Sequence, residues 1–404
     1  MVGLVVVVAY GLASFGTSDA IPANLGPFLL WMFGLGFVAH VAIRRLAPAA
    51  DPVLLPMALF LNGLGYVVIT RLSGGLAALQ STWTAVGVVG FVATLLFLPN
   101  VSLLESYRYM LGLAGVLLLA LPLVPGFGTE INGARIWASV GPINFQPGEF
   151  AKLALAAFFA AYLVDARELL RSRFELRDLA PIGVAWGASL LVMVLERDLG
   201  SSLLFFTLFV VLLWVAAERA SVLFVGLGLF SIGSFAAWSM FGHVQQRVDI
   251  WLDPFATPKG TGFQIVEASF ALADGGLTGT GLGRGEPGRI PFVETDFIFA
   301  AIGEELGLGG STAVLIAFLL LIGSGLRIAL RAERVFEKLF ALGLTTLLGM
   351  QAFVIVGGIL RVVPLTGITL PFVSYGGSSL VANYVLLALL VRMSHQQRAT
   401  QAPA

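Results

Sequence analysis

The chain has 404 residues, 58% hydrophobic and 11% charged, with a formal net charge of zero. A soluble globular domain carries about 25% charged residues, so this composition excludes one and points to a polytopic membrane protein. The neutral balance excludes a nucleic-acid binder, which needs a basic stripe to neutralise phosphates, and the absence of cysteine excludes disulfides and thiolate metal sites.

A hydrocarbon core about 30 Å thick takes roughly 20 helical residues to cross. Apolar runs of that kind occur at 2–16, 26–43, 53–70, 82–98, 109–124, 149–164, 180–196, 200–216, 220–241, 297–326, 336–360 and 374–393. None alternates like a barrel strand, and unpaired backbone is costly in lipid, so helices are the expected spanning element. The first run has no basic segment before it and no A-x-A-like site after it, and reads as an uncleaved helix. The expected fold is an all-α polytopic membrane protein with about twelve transmembrane helices. It forms a single integral membrane domain over 1–404, with two helices in 1–45 and a large extracellular loop at 242–296 between the ninth and tenth spans.

Lys and Arg set the orientation. With the N-terminus inside, fourteen of the twenty-three fall on one side, concentrated in short loops at 168–177 and 327–338. Nine are spread over longer loops on the other side. Both termini are therefore expected to be cytoplasmic, with the 242–296 loop facing outward. No repeat of fixed period is visible, and most of the 48 glycines read as packing residues of membrane helices.

Six outward features stand out along the chain. Asn132-Gly133-Ala134-Arg135-Ile136-Trp137 pairs a guanidinium suited to phosphate with an interfacial indole, though an interfacial anchor explains it equally. Gln146-Pro147-Gly148-Glu149-Phe150-Ala151-Lys152 opens a helix, with Glu149 and Lys152 three apart on one face as an ion pair or a substrate contact. A lysine entering a span needs a cavity or a partner. Glu196-Arg197-Asp198 packs three charges into a turn, which solubility alone could account for. In the large loop, Arg247, Lys259 and several carboxylates surround Trp251-Leu252-Asp253-Pro254-Phe255. Partial burial of Asp253 between the aromatic residues would raise its pKa and suit it to general-base work; a turn-opening Asp before Pro is the bland reading. GGLTGTGLGRG over 275–285 is superficially like a phosphate loop, but no strand precedes it, and the nucleotide reading is rejected. Last, Glu294-Thr295-Asp296 caps a span containing Glu304 and Glu305, carboxylates that need polar surroundings inside a membrane helix.

In order, these motifs resemble the SEDS family of shape, elongation, division and sporulation proteins over roughly Leu103 to Arg392. The most specific block is PLTGITLPFVSYGGSS, residues 364–379. NGARIW, FQPGEFAK, DLG, LDP, GGLTGTGLG, TDFIFA and GEELG add independent matches. The resemblance implies a ten-helix core preceded here by two extra helices. It further implies a peptidoglycan glycosyltransferase that joins lipid-linked disaccharide-pentapeptide units (lipid II) into β-1,4 glycan strands on the outer face of the bacterial cytoplasmic membrane. It makes Asp253 the catalytic residue. Arg135, Trp137, Glu149, Lys152, Asp198, Arg247, Lys259, Asp296 and Ser374 become candidate substrate contacts. Departures from the family pattern are Gly148 for Ser, Ile136 for the second Arg of NGARRW, and Glu196-Arg197 where QPDLG is usual.

The implied reaction is one inverting displacement: a base takes the proton of the acceptor 4-hydroxyl, and cations stabilise the departing diphosphate. A divalent cation could assist through the carboxylates, although no residue pattern requires one. GFQIVEASFAL followed by GTGLGRG favours a RodA-like elongation enzyme over a division-specific FtsW type. Such an enzyme is expected to work with a class B penicillin-binding protein, a transpeptidase, among membrane lipids and without nucleic acid. A lipid II flippase shares the polytopic helices and intramembrane charges, but would place its ionisable groups near the membrane midplane. A catalytically silent scaffold would tolerate replacement of Asp253.

Overall fold

The computed structural model describes residues 2–18, 25–131, 134–141, 143–172 and 180–401. Each of the twelve apolar runs is met by a helix: α1 (Val2–Ser18), α2 (Leu25–Leu46), α3 (Leu54–Leu72), α4 (Gly74–Phe97), α6 (Arg108–Ala120), α7 (Pro147–Ser172), α8 (Ala180–Leu195), α9 (Leu199–Ala217), α10 (Ser221–Met240), α13 (Ile298–Arg331), α14 (Val335–Ile359) and α15 (Gly377–Gln401). A short α5 (Leu103–Ser106) precedes α6, and two further helices lie in the large loop. Among the described residues seven helices are long and apolar enough to cross a membrane: α3, α4, α9, α10, α13, α14 and the Gly377–Ala399 stretch of α15. The basic 168–177 loop lies largely outside the described residues, as do Asn132 and Gly133.

Helices α14 and α15 are the centre of the bundle. The apolar stretch of α15 is 94% buried, whereas that of α10 is 11% buried. The outer face of α10 instead presents Phe224, Leu227, Ile232 and Phe235, an apolar surface of the kind a bilayer covers. α1 sits at the edge, where Val6, Tyr10 and Ala13 form a small separate cluster with Phe28 and Val67.

Three features were not legible as apolar runs. The first is a three-stranded antiparallel sheet between α6 and α7, made of β1 (Gly128–Ile131), β2 (Ala134–Val140) and β3 (Ile143–Phe145), with β2 in the middle. Among the described residues it is the one sheet, and it departs from the all-α expectation.

The second is the signature stretch between α14 and α15, which is an irregular strap over 360–376. Irregular backbone inside a helical bundle must find partners locally, and polar side chains supply them. Gln351 Nε2 donates to Thr369 O at 2.8 Å, Asn62 Nδ2 to Phe372 O and Gln80 Nε2 to Ser374 O, each at 3.4 Å. Asn62, Gln80 and Gln351 are all buried in the bundle, where these bonds offset part of the cost of burying them.

The third is the interior of the large loop. It contains α11 (Gly242–Leu252) and α12 (Phe263–Gly275), after which the glycine-rich stretch runs back along α13. There the helix is broken at Gly307, whose φ and ψ are 63° and −160°. Backbone meets backbone: Thr280 N donates to Glu304 O, Gly281 N to Glu305 O and Leu308 N to Gly276 O, all within 3.0 Å. A Cβ on Gly279, at φ +79°, would fall 2.2 Å from Glu305 O. The glycines are there for close approach, in agreement with rejecting a phosphate loop. Glu305 pairs with Arg71 at 2.5 Å and Glu304 Oε1 accepts from Glu286 N at 2.6 Å, the partners that two carboxylates in such a helix require.

Candidate active site

Pro147 starts α7 with a residue that needs no donor there, and Gln146 N is held by Ser378 Oγ at 2.9 Å. The first turn therefore points Glu149 and Lys152 at the strap. Lys152 is 5% exposed; its Nζ lies 2.8 Å from Glu149 Oε2 and 3.4 Å from Gln351 Oε1. Beside this pair lies a cavity of about 50 Å³ lined by Glu149, Glu196, Asp198, Ile136, Gly367 and Thr369, among others.

The α8–α9 turn supplies two of those carboxyl groups. Asp198 caps α9, its Oδ1 accepting from Ser201 N at 2.9 Å. Glu196 is 4% exposed and its Oε1 has no hydrogen-bond partner among the described residues. Burial, with the like charge of Asp198 second, pushes Glu196 up to about 8, so it is neutral at pH 7 while Asp198 keeps its capping bond. Arg135 N donates to Glu196 O at 3.1 Å and so ties the small sheet to this turn. Alternation along β2 puts Ile136 toward the cavity and the side chains of Arg135 and Trp137 on the other face of the strand.

On α11, Arg247 Nη1 donates to Thr366 O at 2.9 Å and Leu365 O at 3.3 Å. Gly367, at φ +76°, brings the strap so close that a Cβ there would lie 3.6 Å from Arg247 Nη2 and 3.7 Å from Asp296 Oδ2. Burial works against the charge of Arg247, while Asp198 and Asp296 support it. Burial likewise pushes Asp296 up to about 6, against a Thr295 hydrogen bond and the attraction of Arg247. Glu149, Lys152, Asp198, Arg247 and Asp296 are thus gathered around the Leu365–Thr369 part of the strap from four separate elements.

Asp253 is placed elsewhere. It is exposed, with Leu252 and Phe255 at 65% and 50% exposure on either side, so the enclosure between aromatic residues expected from WLDPF does not form. Instead Asp253 Oδ1 accepts from Ala256 N at 3.2 Å and opens a 3₁₀ turn. It lines an open groove of about 500 Å³ with Gln245, Gln246, Asp249, Thr257 and Thr261. Gln245 and Asp249 share the face of α11 opposite Arg247, and Asp253 follows the helix with non-helical φ and ψ of −141° and 83°. Lys259 is exposed in the next turn and belongs to neither lining.

Two clamps hold α11 to the strap from its far end. Trp251 Nε1 donates to Arg361 O at 2.9 Å, and Arg361 Nη2 returns bonds to Trp251 O and Leu252 O at 3.2 and 3.0 Å. Ser374 is fully used: its hydroxyl donates to Thr295 O at 2.5 Å and accepts from Leu370 N at 2.9 Å. It pins the strap to the residue before Asp296 rather than facing a cavity. Among the described residues no three His, Asp or Glu side chains are grouped as metal ligands.

Glu196 and Gln351 are site residues that motif matching passed over. The signal for Glu196 was its departure from the usual QPDLG, read as a solvated charge when it is a buried one. Gln351 gave no signal, because a lone Gln in an apolar run reveals nothing of what faces it.

Comparison with known proteins agrees with this architecture. The model of the cell cycle protein family of FtsW, RodA and SpoVE matches residues 53–399. Peptidoglycan glycosyltransferase RodA of Mycobacterium tuberculosis is 47% identical over 397 residues, covering 92% of this chain and 85% of that protein. Stage V sporulation protein E of Bacillus subtilis is 37% identical over 284 residues, 70% of this chain and 77% of that one. Among solved structures, a chain of a peptidoglycan synthase complex that coordinates polymerization and crosslinking superposes with a TM-score of 0.74 at 32% identity, covering 86% of this chain and 98% of that chain. Thermus thermophilus RodA superposes with a TM-score of 0.64 at 29% identity over 86% of this chain. This chain, a helical membrane-type bundle whose residues 53–399 match the family model, with relatives 47% and 37% identical, belongs to the FtsW/RodA/SpoVE family.

Proposed function

We propose that the protein is a peptidoglycan glycosyltransferase of RodA type, polymerising lipid II into β-1,4 glycan strands at the outer face of the bacterial cytoplasmic membrane. The observation that carries this reading is a pair of cations, buried Lys152 and half-buried Arg247, each near carboxylates and beside the strap of a membrane bundle related to RodA proteins. Such a pair suits a lipid-linked diphosphate, whose leaving group gains negative charge as the bond breaks. Both termini are cytoplasmic in this reading, the 242–296 loop faces outward, and a class B penicillin-binding protein is the partner. The likeness to a chain of a complex that coordinates polymerization with crosslinking supports that partner.

In the reaction, the acceptor 4-hydroxyl oxygen forms a bond to C1 of the donor as the C1–diphosphate bond breaks, and its proton passes to Asp253. Asp253 follows the end of α11 and lines a groove separate from the cavity beside the strap, so a donor held by the cations meets the base only when α11 rolls. The bonds such a roll breaks are those of Arg247 to Leu365 and Thr366 and those of Arg361 to Trp251 and Leu252. Contact with the partner is the natural source of that motion. The deciding experiment follows glycan product from lipid II on a gel, with purified protein and partner, under moenomycin to silence a contaminating classical polymerase. Asp253→Asn abolishes product while preserving the melting temperature and partner binding; product at the parental rate removes Asp253 from the mechanism.

A further inference from the structure

The family match starts at residue 53, which leaves α1 and α2 outside it. α1 packs on α3 and α2 on α4, while α1 and α2 scarcely meet. Between them is a groove of about 780 Å³ whose walls include Val6, Phe28, Met32, Phe33, Phe37 and Leu55. His40, Arg44 and Asp51 are the only polar side chains among the residues that line it, and all three lie at one end.

That end is cationic. Asp51 is already committed: its Oδ2 is 2.9 Å from Arg398 Nη2 and 3.9 Å from Arg327 Nη1, and its Oδ1 accepts from Val53 N. Asp51 thus faces the guanidinium groups of Arg327 and Arg398, and Arg44 has no carboxylate partner among the described residues. Arg44 is exposed in the last turn of α2. The occupant that matches an apolar channel ending in unneutralised positive charge has a long hydrocarbon tail and an anionic head. Clefts of about 300–1,000 Å³ hold single small molecules, and the polar end of this one calls for an anionic head that an apolar transmembrane helix lacks.

We propose that the groove between α1, α2 and α3 binds one anionic glycerophospholipid, its phosphate at Arg44 and His40 and an acyl chain along the apolar wall. The lipid fills the gap that would otherwise leave α1 attached by one side. Under the orientation proposed above, it belongs to the cytoplasmic leaflet.

Native mass spectrometry of the full chain released from nanodiscs of equal phosphatidylglycerol and phosphatidylcholine tests this. The parent protein retains one phosphatidylglycerol in about fivefold preference to phosphatidylcholine, the value expected of one arginine near a headgroup. Arg44→Gln removes the preference and Arg44→Lys keeps it. Gly36→Phe fills the groove and loses both lipids, since a Cβ at Gly36 meets only Leu59, at 3.5 Å, and the larger ring extends past it. Equal retention of the two lipids by the parent protein overturns the proposal, as does retention by both Arg44→Gln and Gly36→Phe at the parental level. Unchanged lipid with loss of the transpeptidase partner in Gly36→Phe also overturns it and assigns the groove to a protein helix.

Discussion

Glu196 and Asp198 are two residues apart and chemically alike, yet only Asp198 has a hydrogen-bond donor to stabilise its charge. The consequence is a pH dependence whose sign can be worked out. The folded pKa of Glu196 is raised to about 8 from 4.5, so the folded state holds a proton that the unfolded state releases. Its contribution to stability is complete below about pH 4.5 and is lost as pH rises to about 8, at up to ~1.4 kcal/mol per pH unit. Between pH 6 and 8 the melting temperature of the parent protein therefore falls more steeply than that of Glu196→Gln; parallel curves would mean that Glu196 ionises freely. Lys152 makes a different prediction. Lys152→Met leaves Glu149 buried without its cation, a loss of about 3–5 kcal/mol. Adding Glu149→Gln restores the melting temperature but leaves polymerisation at least tenfold below the parental rate. Recovery of both would make the pair structural.

At the scale of elements, the glycine-rich stretch and α11 respond in opposite ways. Gly279 combines a positive φ with a carbonyl where its Cβ would go, whereas Gly288 has nothing within 4 Å. Gly279→Ala therefore costs about 1–3 kcal/mol and lowers the melting temperature, while Gly288→Ala is close to neutral. α11 is instead held by a few replaceable bonds. Arg361→Ala removes both bonds from the guanidinium to Trp251 O and Leu252 O, and faster hydrogen exchange over residues 245–256 is the expected result. If product formation with the partner also rises or falls, the clamp belongs to the mechanism; exchange unchanged from the parent protein would show that Trp251 and Arg247 suffice to hold the helix.

For the whole molecule, orientation is the question with the simplest readout, because the native chain has no cysteine. A single cysteine introduced as Lys259→Cys is labelled by an impermeant maleimide in intact cells. One introduced as Arg334→Cys is labelled only after the membrane is opened. The reverse pattern would place the large loop in the cytoplasm and remove the outward glycosyltransferase reading. The distribution of burial fits a bundle standing in lipid: α15 is enclosed by its neighbours, and α10 carries its apolar face outward.

Hydropathy by itself determined that the chain is a helical membrane protein and where its apolar helices run, because a span must be apolar over its whole length whatever its neighbours are. Motif order determined the family. The sheet after α6 was not legible, because strands of three to seven residues give too little alternation to register. What only the tertiary structure decided is company. Glu149, Lys152, Asp198, Arg247 and Asp296 converge because the strap passes them all, and Glu196 joins them because its turn is buried there. Asp253 is held beyond the end of α11. Burial and partners are properties of space rather than of sequence distance, which is why the carboxylate expected to be enclosed is exposed, and the one read as solvated is enclosed.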